Sequence, residues 1–154
     1  LILDGGRSRI GLESTIIDLT DKIAVLRLGG ITIEQLEKAL RCKLKLKNSS
    51  KHVKSPGQSK LHYSPGIPVR LNAKYPKKNE AFVQFSGKTI ITNNYFSLSK
   101  KGNMKEAAKN LFSILRIIKK KGYSSIAVSK IPNHGLGLAI NDRLKRASKK
   151  WMKI

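Results

Sequence analysis

The densest set of reactive side chains lies between two prolines, Pro56 and Pro65. Lys60, His62 and Tyr63 bring a cation, a titratable ring and an aromatic hydroxyl together within four positions. Cations and hydroxyl donors make strong hydrogen bonds to phosphate oxygens, and prolines stiffen the segment that carries them. The combination suits a flap that closes over phosphates. An ordinary solvated linker is the alternative that the residues leave open.

A second candidate group is the run at positions 11–15 (GLEST), which follows an early glycine pair. Glycine lets the backbone approach a ligand closely, and Ser14 and Thr15 would present hydroxyls from a strand edge. The alternative is a hairpin that the glycines shape, in which Glu13 is a surface acid. Arg27 stands inside an apolar strand, so its guanidinium must aim at a pocket, a partner acid or solvent.

Two further patterns give weaker evidence of a functional site. The run HGLG at positions 134–137 precedes a helix, where free amides could bind a phosphate, but a tight strand-to-helix turn is the favoured interpretation. The three histidines and the single Cys42 show no metal-ligand spacing, so no metal site is predicted. No arrangement of nucleophile and base can be argued from the spacing, and no catalytic residue is assigned.

The elements that must position these residues begin with short strands. Positions 1–3 are predicted to be a buried strand, which implies that its sheet neighbours come earlier and that the chain is truncated. β-branched and apolar residues predict strands at 12–19 and 22–28. Thr32 and Gln35 form a capping-box signal for a short helix. That helix is expected to end near Leu40 and to bury Ile33, Leu36 and Leu40.

Positions 43–66 differ in composition from the segments on either side. They are rich in Lys, Ser and Asn, contain Ser-Pro-Gly twice, and lack apolar periodicity. Proline and glycine at that density argue against regular structure, so the segment is predicted to be a linker. Linkers of this length often have a function of their own.

The remainder, positions 67–154, has the pattern of a small α/β unit. Strands are predicted at 69–71, 81–85, 89–91 and 126–128. A long helix is predicted from a cap at Asn103 to about 121, with Gly122 at its end. A final helix has the apolar face Ile140, Leu144, Ala147 and Trp151. Strand, helix, strand and helix in this order favour parallel pairing.

The charge of the chain is extreme, with 32 basic residues against 9 acidic ones and a formal net charge of +23. Nucleic-acid binding is one interpretation, because Lys and Arg displace the counterions of phosphates. A lysine-biased solvated surface is the favoured one, since no basic stripe interleaved with aromatics appears. No apolar run approaches the roughly 20 residues of a membrane span. The single Cys42 and the absence of a secretory signal predict a cytoplasmic protein.

Taken together, the motifs resemble the threonylcarbamoyl-AMP synthases, in the form that joins a YrdC-type catalytic domain to a C-terminal domain. The likeness covers nearly the whole chain in the correct order. The matching stretches lie at 2–6 (ILDGG), 9–18 (RIGLESTIID), 26–31 (LRLGGI), 55–57 (SPG), 62–65 (HYSP), 106–112 (EAAKNLF) and 135–144 (GLGLAINDRL). The resemblance implies an α/β fold in three parts: the end of a YrdC-type mixed sheet at 1–42, a linker covering the active site at 43–66, and a Rossmann-like domain at 67–154.

The resemblance also implies a nucleotidyltransferase that makes threonylcarbamoyl-AMP and pyrophosphate from ATP, L-threonine and bicarbonate. ATP is a substrate accompanied by Mg²⁺, and no tightly bound cofactor is implied. Other proteins then transfer the threonylcarbamoyl group to an adenosine of tRNA. Ser14 is implied to hold L-threonine, and Arg27, His62 and Tyr63 to bind ATP. Further candidates are Thr15, Ser55 and Lys60.

Two departures from the family pattern bear on these roles. Leu28 stands where proline is usual after the arginine, and the residues from Gln58 to Leu61 vary from the common linker. The family's basic ATP-binding motif and Ser-x-Asn motif lie upstream of the stretches present here. The chain alone is therefore expected to lack a complete active site. A basic RNA-binding module related to the same family is the alternative function.

Overall fold

The computed structural model describes residues 1–6, 8–20, 22–47, 64–87 and 93–148. Two small sheets are present in these ranges. The first contains β1 (Ile16–Asp18), β2 (Ala24–Arg27) and β3 (Lys45–Leu46) in the order β1-β2-β3. β1 pairs with β2 antiparallel and β2 pairs with β3 parallel. Helix α1 (Ile33–Leu40) connects β2 to β3.

Helix α1 begins with the capping box that the sequence predicts. The Thr32 hydroxyl accepts a hydrogen bond from the Gln35 amide at 3.3 Å, and the Thr32 amide donates to Gln35 Oε1 at 2.9 Å. Ile33 and Leu36 pack against a cluster that contains Val25 and Leu28. Leu40 is 39% exposed, so its predicted burial is wrong. It lies in the last turn, beyond the reach of that cluster.

Two other predictions about the first 66 residues need correction. Leu1, Ile2 and Leu3 form no strand and are exposed, because no described strand lies alongside to bury them. Lys45 and Leu46 form β3 inside the segment predicted to be a linker. The amide of Lys47 also donates to the Val25 carbonyl at 2.9 Å. Backbone pairing and polar contacts support this exposed strand, among them an ion pair between Lys47 and Asp18 at 3.8 Å, so no apolar pattern marks it in the sequence.

The second sheet is wholly parallel, as predicted. It contains β4 (Val69–Arg70), β5 (Glu80–Ser86), β6 (Tyr95–Ser99) and β7 (Ser125–Val128) in the order β4-β7-β5-β6. The strand predicted at 89–91 lies outside the described residues. β6 was not predicted, because serines interrupt its apolar residues. Helices α2 (Met104–Lys120) and α3 (Leu136–Ser148) complete the unit.

Helices α2 and α3 form the core with the parallel sheet. The Asn103 side chain caps α2 by accepting from the Glu106 amide at 3.0 Å, and Gly122 follows its end at φ 76°, as predicted. Trp151 lies outside the described residues. No helix in the described ranges combines the length and apolar character needed to cross a membrane. The fully buried apolar residues of this core include Leu98, Ala107, Leu111, Ile118, Ile126 and Ile140.

A buried ion pair ties the start of β5 to β4. Arg70 Nη2 lies 2.6 Å from Glu80 Oε2, and the Lys77 amide donates to the same oxygen at 2.8 Å. Burial opposes ionisation of Glu80, but the Arg70 guanidinium and the Lys77 amide outweigh it and lower the pKa of the Glu80 carboxyl. The same pair raises the pKa of Arg70. Glu80 is therefore a charged group inside the fold.

The Glu80→Gln substitution tests this pair. It should lower the free energy of unfolding at pH 7 by about 1–3 kcal/mol, because an ionic hydrogen bond is lost. A depressed carboxyl pKa stabilises the fold above the unfolded pKa, and this contribution disappears as pH falls through the folded value. Denaturant titrations below pH 4.5 should therefore show a smaller gap between variant and wild type. Asp4→Asn, at an exposed carboxylate, is the control; an unchanged gap at low pH contradicts the assignment.

Candidate functional site

The first sheet brings Ser14 and Arg27 into direct contact. β1 and β2 run antiparallel with Ile16 opposite Arg27, so the residues just before β1 lie beside the end of β2. Arg27 Nε donates to the Ser14 carbonyl at 3.0 Å, and its Nη2 donates to Ser14 Oγ at 2.9 Å. Ser14 is exposed and Arg27 is partly buried. A hydroxyl and a guanidinium therefore meet at an open edge, where an anionic or zwitterionic ligand could contact both.

Thr15, the neighbouring candidate, is engaged by the backbone. Its hydroxyl donates to the Ile31 carbonyl at 2.6 Å and accepts from the Ile31 amide at 3.1 Å. This pair of bonds holds the loop after β2 against the strand that carries Ser14. Since the hydroxyl hydrogen is already used, Thr15 shapes the site in this structure.

The turn after β2 depends on a close backbone approach at Gly29. A Cβ placed on Gly29 would overlap the carbonyl of Glu13 and the backbone of Ser14. The next amide, of Gly30, donates to the Glu13 carbonyl at 2.9 Å. Only glycine at position 29 allows the segment that carries Ser14 to lie this near the end of β2.

Glu13 is bound by an arginine from the other end of the chain. Arg143 Nε donates to Glu13 Oε2 at 3.0 Å, and Arg143 Nη2 lies 2.9 Å from the same oxygen and 2.7 Å from the Leu28 carbonyl. The Arg143 side chain is 1% exposed. The alternative that makes Glu13 a surface acid is therefore wrong. Arg143 itself was missed, although it lies three positions from Ile140 and four from Ala147, on the apolar face of α3.

The described end of the linker lies on the same side of the molecule as Glu13. Ser64 and Pro65 line a cavity of about 410 Å³ together with Glu13 and residues of α2. His62, Tyr63, Ser55 and Lys60 lie outside the described residues, so their predicted roles stay predictions. The α2 residues that line the cavity are Phe112, Leu115, Arg116 and Lys119.

The glycine run before α3 supports the turn interpretation. The Gly135 amide donates to Glu34 Oε1 at 3.2 Å, so a carboxylate of α1 occupies the position that a phosphate would need. The amide of Glu34 itself, the Thr32 side chain and the Gly135 amide all lower the pKa of Glu34. Among the described residues, no group of three or more His, Cys, Asp or Glu side chains could hold a metal ion.

Comparison with known proteins identifies one consistent set of relatives. The family model "Threonylcarbamoyl-AMP synthase, C-terminal domain" matches residues 31–149. The threonylcarbamoyl-AMP synthase of Pyrococcus abyssi is 32% identical over 96% of this chain and 48% of its own length. The Bacillus subtilis enzyme is 29% identical with the same coverage. The chain thus spans about half the length of the curated relatives it matches.

Solved structures give the same answer. The crystal structure of P. abyssi Sua5 complexed with L-threonine matches at a TM-score of 0.79 and 30% identity, over 94% of this chain and 48% of that one. A form of the same protein with a histidine and the following tyrosine both replaced by alanine matches at a TM-score of 0.77, 29% identity, and coverages of 94% and 47%.

The two adjacent glycines after β2 offer a matched test of the close approach. Gly29→Ala should lower the free energy of unfolding by about 1–3 kcal/mol, because the new methyl group overlaps backbone that cannot rotate away. Gly30→Ala meets only the Ile10 side chain, at 3.2 Å, and should cost less than about 1 kcal/mol. Urea titrations of both variants and the wild type measure these losses in the free energy of unfolding. Equal losses at the two positions would contradict the packing described.

Proposed function

This chain belongs to the threonylcarbamoyl-AMP synthase family, and we propose that it is the C-terminal half of an L-threonylcarbamoyladenylate synthase. Such an enzyme converts ATP, L-threonine and bicarbonate to threonylcarbamoyl-AMP and pyrophosphate. Its product serves other proteins that modify an adenosine of tRNA. The family match over residues 31–149 and relatives twice as long support the assignment.

The contact between Ser14 and Arg27 is the observation that carries the proposal. In this proposal the Ser14 hydroxyl binds L-threonine, the ligand in the P. abyssi crystal structure. The Arg27 guanidinium faces the triphosphate of ATP. When the bond between the α- and β-phosphates breaks, negative charge collects on the leaving pyrophosphate. A guanidinium that two hydrogen bonds to Ser14 hold in place can stabilise that charge through its positive charge.

In this proposal the linker covers the bound nucleotide, as the family resemblance implies. His62 and Tyr63 form the single adjacent His-Tyr pair in this chain. The histidine and tyrosine replaced together in the P. abyssi structure direct attention to such a pair. Ser64 and Pro65, which follow directly, line the cavity beside Glu13. We therefore keep His62 and Tyr63 as ATP-binding residues, with Ser55 and Lys60 as further candidates.

Mg²⁺ is expected to bind to the site as a complex with the phosphates of ATP. The described residues offer no cluster of acidic or histidine side chains for it. No residue of this part of the chain is therefore assigned as a ligand of the ion.

The first prediction is that the purified 154-residue chain makes no threonylcarbamoyl-AMP. Mixing it with the part of the P. abyssi enzyme that it does not match should restore threonine- and bicarbonate-dependent release of pyrophosphate from ATP. Each half alone is the control. Activity of the 154-residue chain by itself would refute the half-enzyme proposal.

The second prediction separates the roles of the two contacting residues in that reconstituted enzyme. Ser14→Ala should raise the KM for L-threonine about 2- to 12-fold, the effect of one lost neutral hydrogen bond. Arg27→Lys keeps the charge but loses the planar fork, and should lower kcat about 10- to 100-fold. Steady-state kinetics in both substrates measure this. A purely ATP-directed effect of Ser14→Ala would contradict the threonine role.

A second candidate function, direct RNA binding, rests on one surface. Lys105, Lys109, Arg116, Lys119 and Lys120 are exposed on α2. Their spacing of three, four and seven positions places them on one side of the helix, over about 22 Å. A row of this kind can follow a phosphate backbone.

Filter binding of tRNA across a salt series tests this surface. Replacing Lys105, Lys109 and Arg116 by Gln should reduce the slope of log K against log salt by about 2, if each contacts one phosphate. Replacing the exposed Lys74, Lys77 and Lys78 removes the same charge elsewhere and is the matched control. Equal reductions would mean that net charge, and not the α2 surface, attracts RNA.

A further inference from the structure

Among the residues that the structure describes, Arg143 is the largest fully buried side chain, and its hydrogen bonds join segments that are distant in the sequence. It belongs to α3, yet it binds Glu13 and the Leu28 carbonyl, 130 and 115 positions away in the chain. A third bond joins its Nη1 to Asp142 Oδ2 at 2.7 Å. A buried guanidinium needs such partners, because an unsatisfied charge in the interior is very costly.

The two distant partners flank the candidate site. Glu13 directly precedes Ser14, and Leu28 directly follows Arg27. One guanidinium therefore holds the segment before β1 and the segment after β2 at the same time. The planar fork of arginine presents donors in fixed directions, so it sets the spacing of the two segments and not only their charge balance. A lysine could not bind both partners in this way.

Neighbouring groups hold Arg143 itself in place. Arg146, one turn further along α3, donates to both oxygens of Asp142 at 2.9 and 3.1 Å. Asp142 is in turn bound to Arg143. Ala139, on the preceding turn of the same helix, packs with Val25 and Leu28. The helix thus contacts the β2 strand by packing as well as by hydrogen bonds.

We propose that Arg143 is a positioning residue for the Ser14–Arg27 contact, so that helix α3 controls the geometry of the threonine and ATP site without touching either substrate. The role in catalysis rests on the proposed function. The positional coupling does not, because it concerns the folded chain without substrate. A change in α3 that moves Arg143 would change the distance between Ser14 and Arg27 directly.

Nitrogen-proton NMR of the arginine side chains in the 154-residue chain tests the coupling. The Arg27 Nε–H, bonded to the Ser14 carbonyl at 3.0 Å, should exchange slowly with solvent. Arg143→Lys should speed that exchange about tenfold or more, the loss expected when one supporting hydrogen-bond set is removed. Arg70→Lys is the matched control, since it also replaces an arginine that binds a carboxylate, but the pair with Glu80 lies in the second sheet, and it should leave the Arg27 signal unchanged.

Glu13→Gln provides a second variant that keeps the buried arginine, in case Arg143→Lys does not fold. It should also speed exchange at Arg27, by a smaller factor. Backbone amide exchange in β5 and β7 reports whether each variant is folded. An Arg27 signal that is unchanged in a folded Arg143→Lys or Glu13→Gln protein overturns the proposal, as does fast exchange at Arg27 in the wild type. Failure of the reconstituted enzyme to make threonylcarbamoyl-AMP would refute the proposed function and leave the coupling intact.

Discussion

The structure depends on one buried charge. Arg143 is 1% exposed, and a guanidinium in that position must have oxygen partners in fixed places. Glu13 and the Leu28 carbonyl supply them from the first sheet, while Asp142 supplies another from α3 itself. The first sheet can dock in few other ways without leaving that charge unpaired. Buried ion pairs often add little net stability, so the value of this one lies in the single arrangement it permits.

Close backbone packing at two glycines favours the same arrangement of the first sheet that the buried Arg143 requires. Gly29 allows the backbone of Glu13 and Ser14 to lie directly against the end of β2, and Gly11, at φ 72°, lies nearly as close to the backbone of Lys109 on α2. Any side chain at either position would push the first 15 residues away from the rest. The Ser14–Arg27 contact therefore results from two restraints that act together, the close packing at glycine and the hydrogen bonds from Arg143.

The sequence predicts those parts of the fold that short local patterns determine. The capping box at Thr32, the Asn103 cap of α2 and the parallel α/β character of the second sheet follow from short patterns, and the structure confirms them. The exposed strand at Lys45–Leu46 has no such pattern, because backbone hydrogen bonds and polar contacts form it without apolar burial. Apolar residues at positions 1–3 were misleading, since a strand also needs a neighbour.

In the candidate site, too, some features are predicted from the sequence and others depend on distant residues. Family resemblance implies that Ser14 and Arg27 serve one site, and the structure shows that they are in contact, yet the charge that fixes this contact was missed. An arginine on the apolar face of a helix is a signal that its partner lies far away, but the sequence does not say where. Glu13 looked like a surface acid because its partner is 130 positions distant.

A double-mutant cycle between Glu13 and Arg143 measures the central interaction most directly. The free energy of unfolding is determined for the wild type, Glu13→Gln, Arg143→Met and the double variant. If Arg143 docks the first sheet through Glu13, the two changes are coupled by about 1–3 kcal/mol, since the second substitution removes little once the first is made. Losses that add to within about 0.5 kcal/mol would show that the two side chains act independently, and would contradict the docking described.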